Sequence, residues 1–141
     1  MQAVELYAGV GAFSAFIAPR VGHLTAIENS GSACHDFAVN LDEFDNVSLY
    51  EAEAEAALPA LDIPVDLLLM DPPRAGLTPA VHDVLAELLP GQIAYISCDP
   101  ATLARDVKRI LQRGYHLQSV TPFDLFPHTA HVESVTLMSR V

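Results

Sequence analysis

The sequence predicts an α/β protein on one seven-stranded, mostly parallel sheet whose last strand runs antiparallel. Three observations carry this expectation. Short apolar runs alternate with helix-period segments from end to end, and such alternation forces parallel pairing with right-handed crossovers. Residues 64–70 (PVDLLLM) form a nearly continuous apolar run, as a central strand covered on both faces requires. After the fifth helix two strands follow, joined by a loop too short for a helical crossover, so the final strand must turn back. With 141 residues, 51% hydrophobic and 18% charged, the chain suits one domain with its own core, not a disordered tail or a linker.

The elements follow in order. Residues 2–8 (QAVELYA) read as a strand, and 12–18 (AFSAFIA) as a short helix stopped by Pro19. Residues 22–28 form a second strand. A helix over 31–41 carries Ala33, Phe37, Ala38 and Leu41 on one stripe. Residues 46–50 are a third strand. The tract 51–58 (EAEAEAAL) reads as a short, exposed, solvated helix. After the strand over 64–70, Thr78 and Pro79 have the signature of an N-cap and first helical position. Val81, Val84, Leu85 and Leu88 continue a 3.6-residue stripe that Pro90-Gly91 ends. Residues 92–97 are a fifth strand, and Asp99-Pro100 begin the next helix by the same logic. Gly114 closes that helix, and 115–123 and 131–139 are the last two strands.

Seven Lys+Arg against 18 Asp+Glu leave a net charge of −11. So acidic a chain does not grip nucleic acid by bulk electrostatics. Cys34 and Cys98 are too few for a disulfide framework, which points to a reducing compartment, the cytoplasm. No apolar run reaches the roughly 20 residues of a membrane span.

In parallel α/β sheets ligands bind at the carboxyl ends of the strands, so the candidate chemistry belongs there. Strand one runs into Gly9-Val10-Gly11, a glycine turn that opens a helix and lets backbone approach a bound group. Glu28 ends strand two, where an acid accepts hydrogen bonds from both ribose hydroxyls. Turn and acid together point to a nucleoside ligand, without choosing between a dinucleotide and S-adenosylmethionine. Asp71 precedes two prolines that stiffen the turn and hold its side chain out of the sheet, and Arg74 follows at once. Cys98 leaves strand five just before a helix N-terminus, whose amide dipoles stabilise a thiolate. Cys34, on a helix without nearby chemistry, reads as a small core hydrophobe. His128 and His131 stand three apart, but without further soft ligands they do not make a metal site. Glu133 opens the last strand, either as a plain edge residue or as a general base facing the pocket.

The segments ELYAGVG, MDPPRAGL, YISCDPATLARD and DLFPHTAHVESVTLM are similar to the successive motifs of the RNA 5-methyluridine methyltransferases. These are S-adenosylmethionine-dependent enzymes with a Rossmann-like fold. The resemblance covers essentially the whole chain, with 51–63 the least informative. SCDP and FPHTxHVE are its specific motifs, while the glycine motif is generic. The resemblance implies methylation of C5 of a uridine in tRNA or rRNA, with Cys98 as nucleophile and Glu133 as the base that removes the C5 proton. It puts the S-adenosylmethionine contacts on Tyr7, Glu28 and Asp71, beside the backbone of Gly9 and Gly11. Arg74 and His128 are the candidates for the substrate side. Two departures stand out. The family often has asparagine where Ala12 stands. Its full-length members carry an RNA-binding region, a linking domain and a helix before strand one, whereas Met1 stands directly before strand one here. The RNA-gripping part is therefore expected outside this chain, in keeping with its acidity. A sheet face left bare without that helix predicts self-association.

The chemistry requires such residues. C5 of uracil is a poor nucleophile towards a methyl sulfonium. Addition of a thiolate to C6 makes C5 enolate-like, and a base must then remove the C5 proton so that the cysteine can leave. The target base must also be turned out of any stack. Two other readings compete. A nucleotide-binding module such as a dehydrogenase domain accounts for Gly9, Gly11 and Glu28 but leaves DPPR and SCDP without a role. The other is non-catalytic: a truncated methyltransferase domain that folds but binds no RNA.

Overall fold

The structure is a computed structural model that describes residues 1–125, 127–129 and 131–141. Seven strands, β1 (Gln2–Leu6), β2 (His23–Glu28), β3 (Val47–Glu51), β4 (Leu67–Met70), β5 (Gln92–Ser97), β6 (Tyr115–Phe123) and β7 (Glu133–Arg140), form one sheet in the order β3-β2-β1-β4-β5-β7-β6. The first five are parallel, and β7 pairs antiparallel with both β5 and β6. The predicted fold class and the reversed last strand are both present. Five helices connect the strands: α1 (Ser14–Ile17), α2 (Gly31–Asn40), α3 (Ala54–Ala57), α4 (Pro79–Leu88) and α5 (Pro100–Leu111). Among the described residues no helix is long and apolar enough to cross a membrane.

The alternation of side chains along each strand divides the core between the two sheet faces. Val4 and Leu6 of β1, Leu68 and Met70 of β4, and Ile93 and Tyr95 of β5 pack with Val81 and Leu85 of α4 and Leu103 and Ile110 of α5. On the other face Ala3 and Leu24 meet Ala18, and Ala8 and Ala26 meet Phe37 and Leu41. The two helices flanking the catalytic-looking loops start where their side chains say. Thr78 caps α4 by accepting from the Val81 N–H at 3.4 Å, and Asp99 caps α5 by accepting from the Ala101 N–H at 2.9 Å.

Several local expectations need correction. Pro19 does not simply stop a helix over 12–18: α1 ends at Ile17 and Pro19 lies inside a 3-10 turn, Ala18–Arg20. A first helical turn needs no N–H from proline. On α2 the buried residues are Cys34 and Phe37, followed by Leu41, while Ala38 is exposed. The 34–37–41 spacing is the truer helical stripe, and cysteine fills it as a hydrophobe. The acidic tract is not merely a solvated helix. Its first residue, Glu51, ends β3, Ala54 and Leu58 are buried, and Glu55 accepts a 2.6 Å hydrogen bond from the Thr78 hydroxyl. The apolar run over 64–70 becomes strand only at Leu67. α4 ends at Leu88, with Leu89 already left-handed at φ +48°, ahead of Pro90-Gly91.

Candidate active site

Where β1 ends the backbone turns sharply. Tyr7, Gly9 and Gly11 all have positive φ, +60°, +57° and +89°. The two glycines serve different ends. A Cβ on Gly11 would collide with Leu41 and Phe37 of α2, so this glycine permits close packing of the turn on a helix. A Cβ on Gly9 would meet nothing within 4 Å, so open space lies over this glycine. Glu28 fastens the turn to β2. One carboxylate oxygen accepts the Gly9 N–H at 2.7 Å and the other the Ser30 N–H at 2.9 Å. Each oxygen keeps a further lone pair for a hydroxyl. Tyr7, Glu28, Asn29, Glu53 and Ala54 line a small hollow of about 20 Å³ there. Burial, with the carboxylates of Glu55, Asp106 and Glu53, pushes the Tyr7 phenol up to about 12. It stays a neutral donor at pH 7.

A larger cleft of about 480 Å³ opens at the ends of β4, β5, β6 and β7. Its polar wall is Asp71, Cys98 and Glu133, and its apolar wall includes Phe13, Ile96 and Phe123. The register brings the polar three together. Ser97, the last residue of β5, pairs with Ser134 near the start of β7. Cys98 therefore leaves the sheet beside Glu133, as an antiparallel last strand requires. Cys98 is held between two anchored neighbours: the Ser97 hydroxyl donates to the Asp99 carbonyl at 2.9 Å and accepts the Asp99 N–H at 3.0 Å. Partial burial, and the facing Glu133 carboxylate, push the Asp71 carboxyl above its ordinary range.

Arg74 and His128 are not among the residues lining this cleft. Arg74 turns instead to Asp99, Nε to carboxylate oxygen at 3.4 Å, on the outer side of the α5 N-terminus. The Asp99 carboxyl is held below the usual range by the Ala101 and Thr102 N–H groups and by Arg74. His128 is exposed with φ +62°. Phe126 and Ala130 of the FPHTxHVE motif lie outside the described residues. Cys34 is buried and its thiol donates to the Glu28 carbonyl at 3.4 Å; burial, then Glu51 and Glu28, push the thiol up.

Two groups escaped the sequence reading. Glu5 is fully buried in mid-strand, 1% exposed, and accepts from the Ser14 hydroxyl of α1. Burial, with Asp71 adding to it, pushes its carboxyl to about 7 against the opposing Ser14 bond. The only sequence signal was an acid interrupting an apolar strand. Asp106 of α5 is also fully buried. It accepts from the Leu77 N–H at 2.9 Å, His82 Nε2 at 3.0 Å, the Tyr95 hydroxyl at 2.7 Å and Arg105 Nε at 3.0 Å. Burial opposes its charge, but these four donors outweigh that and hold the carboxyl below its ordinary value. The network pins the 71–77 loop, and with it Asp71, to α4, β5 and α5.

The tRNA (uracil-5-)-methyltransferase family matches residues 2–141. An RNA methyltransferase of Streptomyces coelicolor is 43% identical over 97% of this chain and 31% of its own length. The 23S rRNA (uracil(1939)-C(5))-methyltransferase of Chromohalobacter salexigens is 40% identical over 99% of this chain and 29% of its own. The chain thus spans about a third of the length of the curated relatives it matches. Among solved structures, the Pyrococcus abyssi tRNA (uracil-54, C5)-methyltransferase in complex with S-adenosyl-L-homocysteine superposes with TM-score 0.82 at 32% identity, over 96% of this chain and 33% of that one. A precorrin-6y C5,15-methyltransferase from Geobacter metallireducens superposes with TM-score 0.81 at 18% identity, over 99% and 80% of the two chains, and shares the fold alone. With nearly every residue matched by the family and the sheet matched by a solved member, this chain belongs to the tRNA (uracil-5-)-methyltransferase family.

Proposed function

We propose that this chain is the catalytic unit of an S-adenosylmethionine-dependent enzyme that methylates C5 of a uridine in RNA through a covalent cysteine adduct. The observation that carries the reading is the pairing of Ser97 with Ser134, by which Cys98, Glu133 and Asp71 share one cleft. The cleft's roughly 480 Å³ is in the range of small-ligand sites. The name of the Pyrococcus abyssi relative, a uracil-C5 methyltransferase with bound S-adenosyl-L-homocysteine, supports the same reaction and ligand.

The residues at the glycine turn fit the cofactor. Gly9 leaves open space over its backbone, Glu28 keeps lone pairs for two ribose hydroxyls, and Tyr7 is a neutral aromatic donor beside them. Asp71 joins this group to the cleft and orients the cofactor's charged end or the base edge. When bound, S-adenosylmethionine supplies an electrophilic methyl group. The Cys98 thiolate adds to C6 of the uracil, and the electron pair of the C5–C6 double bond makes C5 the nucleophile. After C5 is methylated, the Glu133 carboxylate takes the C5 proton at hydrogen-bond range. The electrons of the C–H bond restore the double bond and expel Cys98 as thiolate. The RNA-gripping region belongs to the part of the longer relatives that this chain does not span, and the substrate is tRNA or rRNA.

The test separates nucleophile from base. In a protein joining this chain to an RNA-binding region, Cys98→Ala abolishes both adduct and methylation. Glu133→Gln permits adduct formation and methyl transfer but stalls release, so protein stays on RNA in a denaturing gel. Normal turnover by Glu133→Gln without accumulated adduct removes Glu133 from the role of base, which then passes to His128 or an ordered water.

A further inference from the structure

With 18 acidic against seven Lys+Arg side chains, cations are scarce in this protein and their placement is informative. Five of the seven, Arg74, Arg105, Lys108, Arg109 and Arg113, come from α5, its C-terminal turn and the loop packed on its start. The α5 cations recur at spacings of three and four, which places them on one helical face. All are exposed, as is Gln112 among them. The single acid of α5, Asp106, is buried and already engaged by four donors. Arg105 Nη2 donates to the Ala75 carbonyl at 2.8 Å, which seats its guanidinium against the segment that carries Arg74. Arg74 and the α5 cations therefore stand on adjoining segments, with Arg74 also paired to Asp99 at the start of α5.

Complementing the helix dipole accounts for cations in the last turn, Lys108 and Arg109. It does not account for Arg105 in mid-helix or for Arg74 at the opposite end. A groove of about 490 Å³ between α4 and α5 adds shape to the charge, with Arg109, Gln112 and Arg113 on one wall and His82 and Asp83 on the other. Asp83 holds Arg113 at 3.7 Å, an exposed pair of the kind that contributes little and exchanges readily for another anion. α5 begins two residues after Cys98, and its cations run from Arg105 to Arg113, a span of about 12 Å.

We propose that this stripe is the chain's own contact with the RNA sugar–phosphate backbone flanking the target uridine, with phosphates received by Arg105, Lys108, Arg109 and Arg113. It rests on the RNA-methylating reading above and deepens it. An acidic chain can present a cationic track to RNA only by collecting its few cations in one place. Steered this way, the RNA lies along α5 with its target base at the end where Cys98 stands.

Amide NMR of the 141-residue chain, titrated at low salt with a short uridine-containing RNA hairpin, tests this, with S-adenosyl-L-homocysteine affinity measured in parallel by calorimetry. Shifts are expected at residues 74–76 and 105–113. The double charge reversal K108E/R109E should abolish them, weaken RNA binding at least about tenfold and flatten the log–log salt slope by about 1.4, two single-strand phosphate contacts. R20E, whose 3-10 turn packs on the opposite face of the sheet, should leave RNA binding nearly intact. Equal loss with R20E shows bulk charge alone and overturns the proposal, as do RNA shifts confined to other surfaces. Shifts of the stripe that grow with protein concentration and ignore RNA identify an acidic face of a second copy as the partner, and overturn it too. Failure of the unaltered chain to bind S-adenosyl-L-homocysteine strikes the methyltransferase reading instead, whatever the RNA titration shows.

Discussion

Glu28 and Glu5 show how differently two carboxylates of adjacent strands are used. Glu28 sits at a strand tip with an N–H on each oxygen, and its lone pairs face the proposed ribose. Glu28→Ala removes a charged acceptor and is expected to weaken S-adenosyl-L-homocysteine binding by about 1.5–3 kcal/mol in calorimetry; unchanged affinity takes Glu28 out of the site. Glu5 is enclosed between β1 and α1 and titrates near 7, raised from 4.5. A raised folded pKa means that the folded state binds the proton more tightly. Its stabilising effect is full below about 4.5 and is lost as pH rises through about 7. The full penalty is about 3 kcal/mol, at about 1.36 kcal/mol per pH unit. Glu5→Gln keeps an acceptor for Ser14 without the charge. Urea unfolding should find the variant no more stable than the parent at pH 5 and clearly more stable at pH 8. A difference between the two that is the same at both pH values defeats this account.

At the scale of elements, the buried Asp106 cluster holds the loop between β4 and α4. Asp106→Ala leaves the Leu77 N–H, His82, Tyr95 and Arg105 without their acceptor, so a loss of about 3–5 kcal/mol is expected. The loop carrying Asp71 should loosen with it, read as faster amide exchange over 71–77. A loss below about 1 kcal/mol shows that water replaces the carboxylate and that the cluster is not structural. Because the folded Asp106 carboxyl lies below its ordinary value, its contribution is present above about pH 4 and is lost as pH falls through the folded value. Helix starts were legible in sequence, because Thr78-Pro79 and Asp99-Pro100 encode their caps locally. The burial of Cys34 was legible too, but the exposure of Ala38 on α2 and the burial of Ala54 and Leu58 were not. Which side of a short helix meets the sheet depends on where the neighbouring strands place it.

For the whole molecule, charge and edges dominate. With a net charge of −11 and its cations concentrated on α5 and the segments beside it, the chain alone is expected to retain RNA poorly at physiological salt. Tight retention in a filter-binding assay under those conditions contradicts this. β6 is a nine-residue edge strand, mostly exposed, with Leu117, Val120 and Phe123 each between 45% and 49% accessible. Long exposed apolar edges pair with other chains, so concentration-dependent self-association is expected in sedimentation. A strict monomer at high concentration counts against it.

The sequence by itself determined the strand–helix order, the parallel sheet with its reversed last strand, the glycine turn and the positions from which Cys98 and Glu133 start. Each is encoded within a few residues, by periodicity, by proline and glycine, or by a cap. Only the tertiary structure decided that Cys98, Glu133 and Asp71 share a cleft while Arg74 turns away to Asp99. It alone showed that Gly11 serves packing and Gly9 leaves open space, and that Glu5 and Asp106 are buried in charge-sensitive surroundings. Those outcomes depend on strand register and on which helices cover which face. Both are set by contacts between residues far apart in the chain, and no local pattern records them.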